Sequence, residues 1–90
     1  MSAGTDLFAD LRHRFAVRLR EERAALAAEA KSNAREALLD RAHRLAGIAG
    51  MLGAAEVGEA ALRLEDTLRA GEDHAEALAA LRAAIDHAIG

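Results

Sequence analysis

The segment from Arg41 to Ala54, RAHRLAGIAGMLGA, sets His43 ahead of Gly47, Gly50 and Gly53 within what otherwise reads as a helix. A solvent-exposed imidazole, with a pKa near ~6.5, is largely uncharged at neutral pH, and its free ring nitrogen is a nucleophile. Each interior glycine costs a helix roughly 1 kcal/mol relative to alanine. The chain therefore gives up local stability beside a candidate nucleophile.

Advancing ~100° per residue from His43 separates two faces of this helix. Ala34, Leu38, Leu45, Ala49 and Leu52 cluster opposite His43, on the side that must meet a core. On the histidine's own face lie Leu39, Ala46, Gly47 and Gly50, with Glu36 further back and Met51 at the margin. A solvated face ordinarily carries charged residues, so one that is small and apolar is expected to dock against something else. Gly47, one turn after His43, removes the side chain that would crowd the imidazole. Attack on a phosphoryl group would need metal and charge clamps, which this chain supplies sparingly, so a partner would have to bring them.

Two of these positions have double readings. Leu39 fits either the rim of a core or a docking contact, and its place about 40° from His43 favours docking. Met51 carries an unbranched thioether that suits adaptable interfaces as well as irregular cores. His13, His74 and His87 lack the i, i+4 spacing of a zinc-binding helix and read as solvated histidines. Phe8 and Phe15 fall in an apolar stripe and read as core.

Four helical segments would position these groups. The first is expected from about Asp6 to Ala30, with Thr5 as N-cap and a stripe of Phe8, Leu11, Phe15, Leu19 and Leu26 interrupted at Glu22. The second begins near Asn33, whose spacing to Glu36 resembles a capping box, and runs to about Leu52, with Gly53 as its left-handed terminator. The third spans Ala55 to Ala70, turns Val57, Ala61, Leu64 and Leu68 inward and stops at Gly71. Asp73 and Glu76 repeat the capping pattern and open the fourth, with Ala77, Leu78, Leu81, Ile85 and Ile89 inside. Short connections make sequential helices antiparallel, so the expected fold is all-α, an up-down-up-down four-helix bundle.

Composition agrees with that class. Hydrophobic residues form 52% of the 90-residue chain but aromatics only 2%, a supply suited to closely packed helices rather than strands. Cysteine and proline are absent, which excludes a disulfide framework and thiol chemistry. With a net charge of −3 and its basic residues interspersed with acidic ones, the chain lacks the footprint of nucleic-acid binding. The densest charge run, Arg18 to Arg23, reads as a solvated helix face. No apolar run approaches the ~20 residues of a membrane span, and no signal peptide is evident, so a cytoplasmic protein is expected.

The histidine stretch resembles the histidine-containing phosphotransfer (HPt) domain family, whose motif is His-x-Leu-Lys-Gly followed by small residues and a further glycine. Here it reads His43, Arg44, Leu45, Ala46, Gly47, then IAGMLGA. Phe15 with its upstream stripe resembles the family's first core helix, and Leu64-Glu65 its frequent Leu-Glu pair. The resemblance makes residues 1–90 a single HPt-like bundle, with His43 as phosphoacceptor, Gly47 as clearance and Leu45 as buried anchor. It implies transfer of a phosphoryl group between aspartates of receiver domains, on response regulators or hybrid histidine kinases. On that reading the protein is a monomeric phosphorelay intermediate rather than an enzyme, without a cofactor of its own, and Mg²⁺ belongs to the receiver. Ala46 stands where the family commonly has lysine, and Arg44 is the candidate substitute for neutralising phosphate. Two other readings stay open: a non-phosphorylated adaptor bundle, which Ala46 permits, and a sensor-kinase dimerisation fragment. Arg44 and the lack of proline argue against the latter, since that family places an acidic residue directly after its histidine and a proline soon after.

Overall fold

A computed structural model describes residues 3–51 and 53–90, with side chains from Leu7 onward. Four helices follow one another: α1 (Ala3–Lys31), α2 (Arg35–Met51), α3 (Ala55–Arg69) and α4 (Ala75–Ile89). α1 packs on α2 and α4, α3 packs on the same two helices, and among the described residues the diagonal pairs are not in contact. Polar ties set the directions. Arg35 at the start of α2 donates to the carbonyl oxygens of Leu68, in the last turn of α3, and Glu72, just past its end, at 3.1 and 3.4 Å. Glu56 at the start of α3 meets His87 at the end of α4. The result is an up-down-up-down four-helix bundle.

The inward stripes are small and aliphatic, as the composition requires. Leu19 and Leu26 of α1, Leu38, Ala42, Leu45 and Ala49 of α2, Val57, Ala61, Leu64 and Leu68 of α3, and Ala77, Leu78, Leu81 and Ile85 of α4 form one core. Small residues let α2 and α3 approach closely. A Cβ placed on Gly58 of α3 would stand 3.7 Å from Ala49 Cβ and 3.8 Å from the Ala46 carbonyl oxygen. This pair carries His43.

Several expectations change. Phe8 is exposed rather than core, because α1 has 29 residues against the 15 to 17 of its neighbours and extends past the bundle. Phe15 is half-buried against the core edge. Asn33 does not cap α2. Its φ of +56° is left-handed, and the bonds from Asn33 N–H to the Ala30 carbonyl and from Ala34 N–H to the Glu29 carbonyl make it the terminator of α1. Gly53 (φ +75°) and Gly71 (φ +71°) have the terminator conformation expected of them. α4 opens at Ala75 with His74 at its cap, although the Asp73 carboxylate still accepts from the Ala75 N–H at 3.1 Å. Thr5 is not the N-cap of α1, whose described residues are already helical from Ala3, and Leu52 as a core residue lies outside the described residues.

The charge run of α1 is not wholly solvated either. Leu19 and Glu22 within it are buried, and Glu22 accepts from Arg41 Nη1 at 2.6 Å and Arg18 Nε at 3.1 Å. Arg41 also binds Glu29 at 2.7 and 3.0 Å, fastening α2 to α1. Burial pushes the Glu22 carboxyl up, but the hydrogen bonds and charges of Arg41 and Arg18 prevail and hold it below the usual glutamate value. Stability from this group is complete above the unfolded value of ~4.3 and is lost as pH falls through the lower folded value. The urea midpoint should therefore drop as the medium is acidified below that range, and less steeply in Glu22→Gln. Equal slopes in the two proteins would remove Glu22 from the account.

Candidate functional site

His43 stands midway along α2, between turns anchored by buried Ala42 and Leu45, and its side chain is 66% exposed. Its Nδ1 lies 2.8 Å from Oε2 of Glu65 on α3. The Glu65 side chain is 8% exposed, and the same Oε2 accepts from Arg69 Nη2 at 2.8 Å and Arg69 Nε at 3.1 Å. The hydrogen bonds from Arg69 hold the Glu65 carboxyl below its usual range, against the opposing effect of burial and with His43 adding to the lowering.

That arrangement selects a tautomer. An ionised carboxylate only accepts hydrogen bonds, so the proton of a neutral His43 ring is held on Nδ1, facing Glu65. The lone pair is left on Nε2, for which no hydrogen bond is found among the described residues. A carboxylate on one ring nitrogen thus fixes both the orientation of the imidazole and the nitrogen that carries its lone pair.

The surroundings leave that atom accessible. Gly47 and Gly50 are exposed, and a Cβ on either would find nothing within 4 Å. Met51 is exposed at 87%. Leu39 and Ala46 are half-buried and packed against the core, so Leu39 belongs to the core's rim as well as to the histidine's side of α2. Arg44 is exposed, and its guanidinium lies 3.2 Å from Asp40, one turn back along α2. Position 46 brings no cation.

Sequence reasoning missed the part played by Glu65 and Arg69. Glu65 was visible only as half of a Leu-Glu pair, and a helical wheel treats a glutamate beside an apolar stripe as solvated. The available signal was its place among Ala61, Leu64 and Leu68, all buried. His87 offers a contrast: its Nδ1 lies 2.9 Å from Glu56, but the side chains are 78% and 69% exposed. The nearby Glu56 raises the His87 pKa, favouring its protonated, non-nucleophilic form, and no packing fixes the pair.

Among the described residues, no three histidine or acidic side chains gather as a metal-ligand set. Nor is any described helix long and apolar enough to cross a membrane. A surface groove of about 570 Å³ runs between α3 and α4, lined by Glu56, Arg63, Ala84 and His87, and does not include His43.

No curated protein and no solved structure matches the chain. The family model of the Hpt domain matches residues 10–89, from the first third of α1 to the end of α4. A helical bundle presenting a carboxylate-oriented histidine is consistent with that match, and because the match spans nearly the whole sequence, the chain belongs to the Hpt domain family.

Proposed function

We propose that His43 is the phosphoacceptor of this Hpt domain, receiving a phosphoryl group from an aspartyl phosphate on one receiver domain and passing it to the aspartate of another. Hpt domains are phosphotransfer carriers of two-component phosphorelays and act with receiver domains. The observation that carries the assignment to His43 is the 2.8 Å contact between Nδ1 and the buried Glu65.

The chemistry follows from the tautomer. The Nε2 lone pair forms the N–P bond while the P–O bond to the aspartate breaks, and its electron pair leaves on the carboxylate. The Nδ1 proton stays in place, so the product is a phosphoimidazolium whose positive charge faces Glu65. Reversal toward a second receiver expels a neutral imidazole. Little covalent chemistry is asked of this chain; the receiver supplies Mg²⁺ and its acidic ligands, which neutralise the transferring group. The domain is itself modified and does not turn over as an enzyme.

Incubation with a phosphorylated receiver and Mg²⁺ tests the assignment. An acid-labile label mapping to His43 is the expected result. A receiver that binds this face without transferring label would instead establish an adaptor, and stable dimerisation through the bundle would favour a sensor-kinase fragment over the monomer proposed.

Receiver docking is assigned to the face bearing Leu39, Ala46, Gly47, Gly50 and Met51. Because Leu39 also packs on the core, Met51 gives the cleaner probe. Met51→Asp should weaken receiver binding about tenfold, as expected for a charge placed in an apolar contact, without shifting the melting temperature. Binding titrations that superimpose on wild type would exclude Met51 from the docking face.

A further inference from the structure

We infer that Arg69, on α3, is the cation that binds the phosphoryl group on His43 and does the work for which position 46 supplies no charge. The inference rests on the assignment of His43 as phosphoacceptor.

The geometry comes first. Arg69 Nη2 and His43 Nδ1 each lie 2.8 Å from the same oxygen, Glu65 Oε2, so one atom separates guanidinium from imidazole. A guanidinium has five N–H donors in a rigid fork. Among the described contacts only Nε and Nη2 are engaged, both by Glu65. The Arg69 side chain is 57% exposed, so its outer edge can turn toward a group on the ring without breaking a packed contact. Arginine binds phosphate with two parallel charge-assisted hydrogen bonds, and the guanidinium edge that Glu65 leaves unengaged carries the donors for them.

Charge gives the second reason. Glu65 orients the ring, but an ionised carboxylate this close would repel an incoming phosphoryl group. Arg69 cancels that charge at its source. Once the N–P bond forms, the imidazolium faces Glu65, and Arg69 is released from part of its task to face the phosphoryl oxygens. Other arginines are less suited: Arg41 is committed to Glu22 and Glu29, and Arg44 to Asp40 one turn away from the Gly47 side.

Phosphoramidate, a small donor that needs no receiver docking, isolates the effect. The full chain and its Arg69→Ala, Arg69→Lys and Arg44→Ala variants are labelled, with phospho-His43 followed by ³¹P NMR across a pH titration. Arg69→Ala should slow labelling about tenfold, the loss expected for a charge-assisted hydrogen bond, and should raise the pH at which the phosphoryl resonance titrates. Arg69→Lys should recover part of both, and Arg44→Ala neither. The titration separates contact with phosphate from an effect on ring orientation alone, which would slow labelling without moving the phosphoryl resonance. Arg69→Ala that labels and titrates as wild type overturns the inference while leaving His43 as phosphoacceptor. A wild-type chain labelled elsewhere than His43 overturns both.

Discussion

His43→Gln should abolish acid-labile labelling by phosphorylated receivers while leaving helix content and melting temperature unchanged. Glutamine keeps an N–H able to donate to Glu65, so the buried carboxylate retains a partner. It offers no basic nitrogen lone pair, because the amide nitrogen is conjugated with its carbonyl. The exposed position limits the cost in stability to within about 0.5 kcal/mol. Loss of label with an intact fold therefore isolates the nucleophile from the scaffold. Label that persists in His43→Gln would move the acceptor role to another histidine, with His87 and its Glu56 partner the first place to look.

Gly47→Gln should separate stability from function in the opposite sense. A Cβ at Gly47 meets nothing within 4 Å, so the helix accepts a side chain there and gains up to roughly 1 kcal/mol from improved helix propensity. The same side chain, one turn from His43, stands where the receiver's aspartyl phosphate must approach. Transfer demands close alignment of donor and acceptor atoms, and a displacement of about 1 Å can cost on the order of a hundredfold in rate. Receiver-dependent labelling should fall by that order, while labelling by phosphoramidate, which needs little room, should stay within a few-fold of wild type. A variant that is more stable and transfers at the full rate would show that the glycine serves no clearance. Gly47→Ala, with its single added carbon, should gain the stability and keep most of the rate.

The contrast between those two variants also shows what was legible in the sequence. His43, Gly47 and Gly50 lie on one helix, and their shared face follows from a rotation of ~100° per residue. The same rule placed Leu38, Leu45 and Ala49 inward. Where it failed, a tertiary contact or a backbone conformation decided. Phe8 belongs to the apolar stripe of α1, yet the stripe outlasts the helices that could cover it. Asn33 has the side chain of an N-cap, but its capacity for positive φ was put to ending α1. Glu22 read as an interruption of the stripe and proved to be a buried partner for Arg41 and Arg18. Glu65 is the costliest omission: its role depends on the spacing between two helices, which hydrophobic periodicity does not report. The absent lysine at position 46 drew attention to Arg44, its neighbour in sequence, whereas the arginine that shares the Glu65 carboxylate with the imidazole stands on α3, out of reach of a wheel drawn for α2.

His43, Glu65 and Arg69 all belong to α2 and α3, the two helices that meet at Gly58. The hydrogen bonds that orient the histidine are thus contained in one contiguous helical hairpin, residues 43–69, while α1 and α4 supply the packing behind it. Chemical and structural demands consequently fall on different stretches of chain. Helices α1 and α4 are free to exchange their outward residues, and with them any preference among partners, provided their inward stripes still fill the core. The hairpin has no such latitude, since a shift of register between α2 and α3 would part the imidazole from its carboxylate.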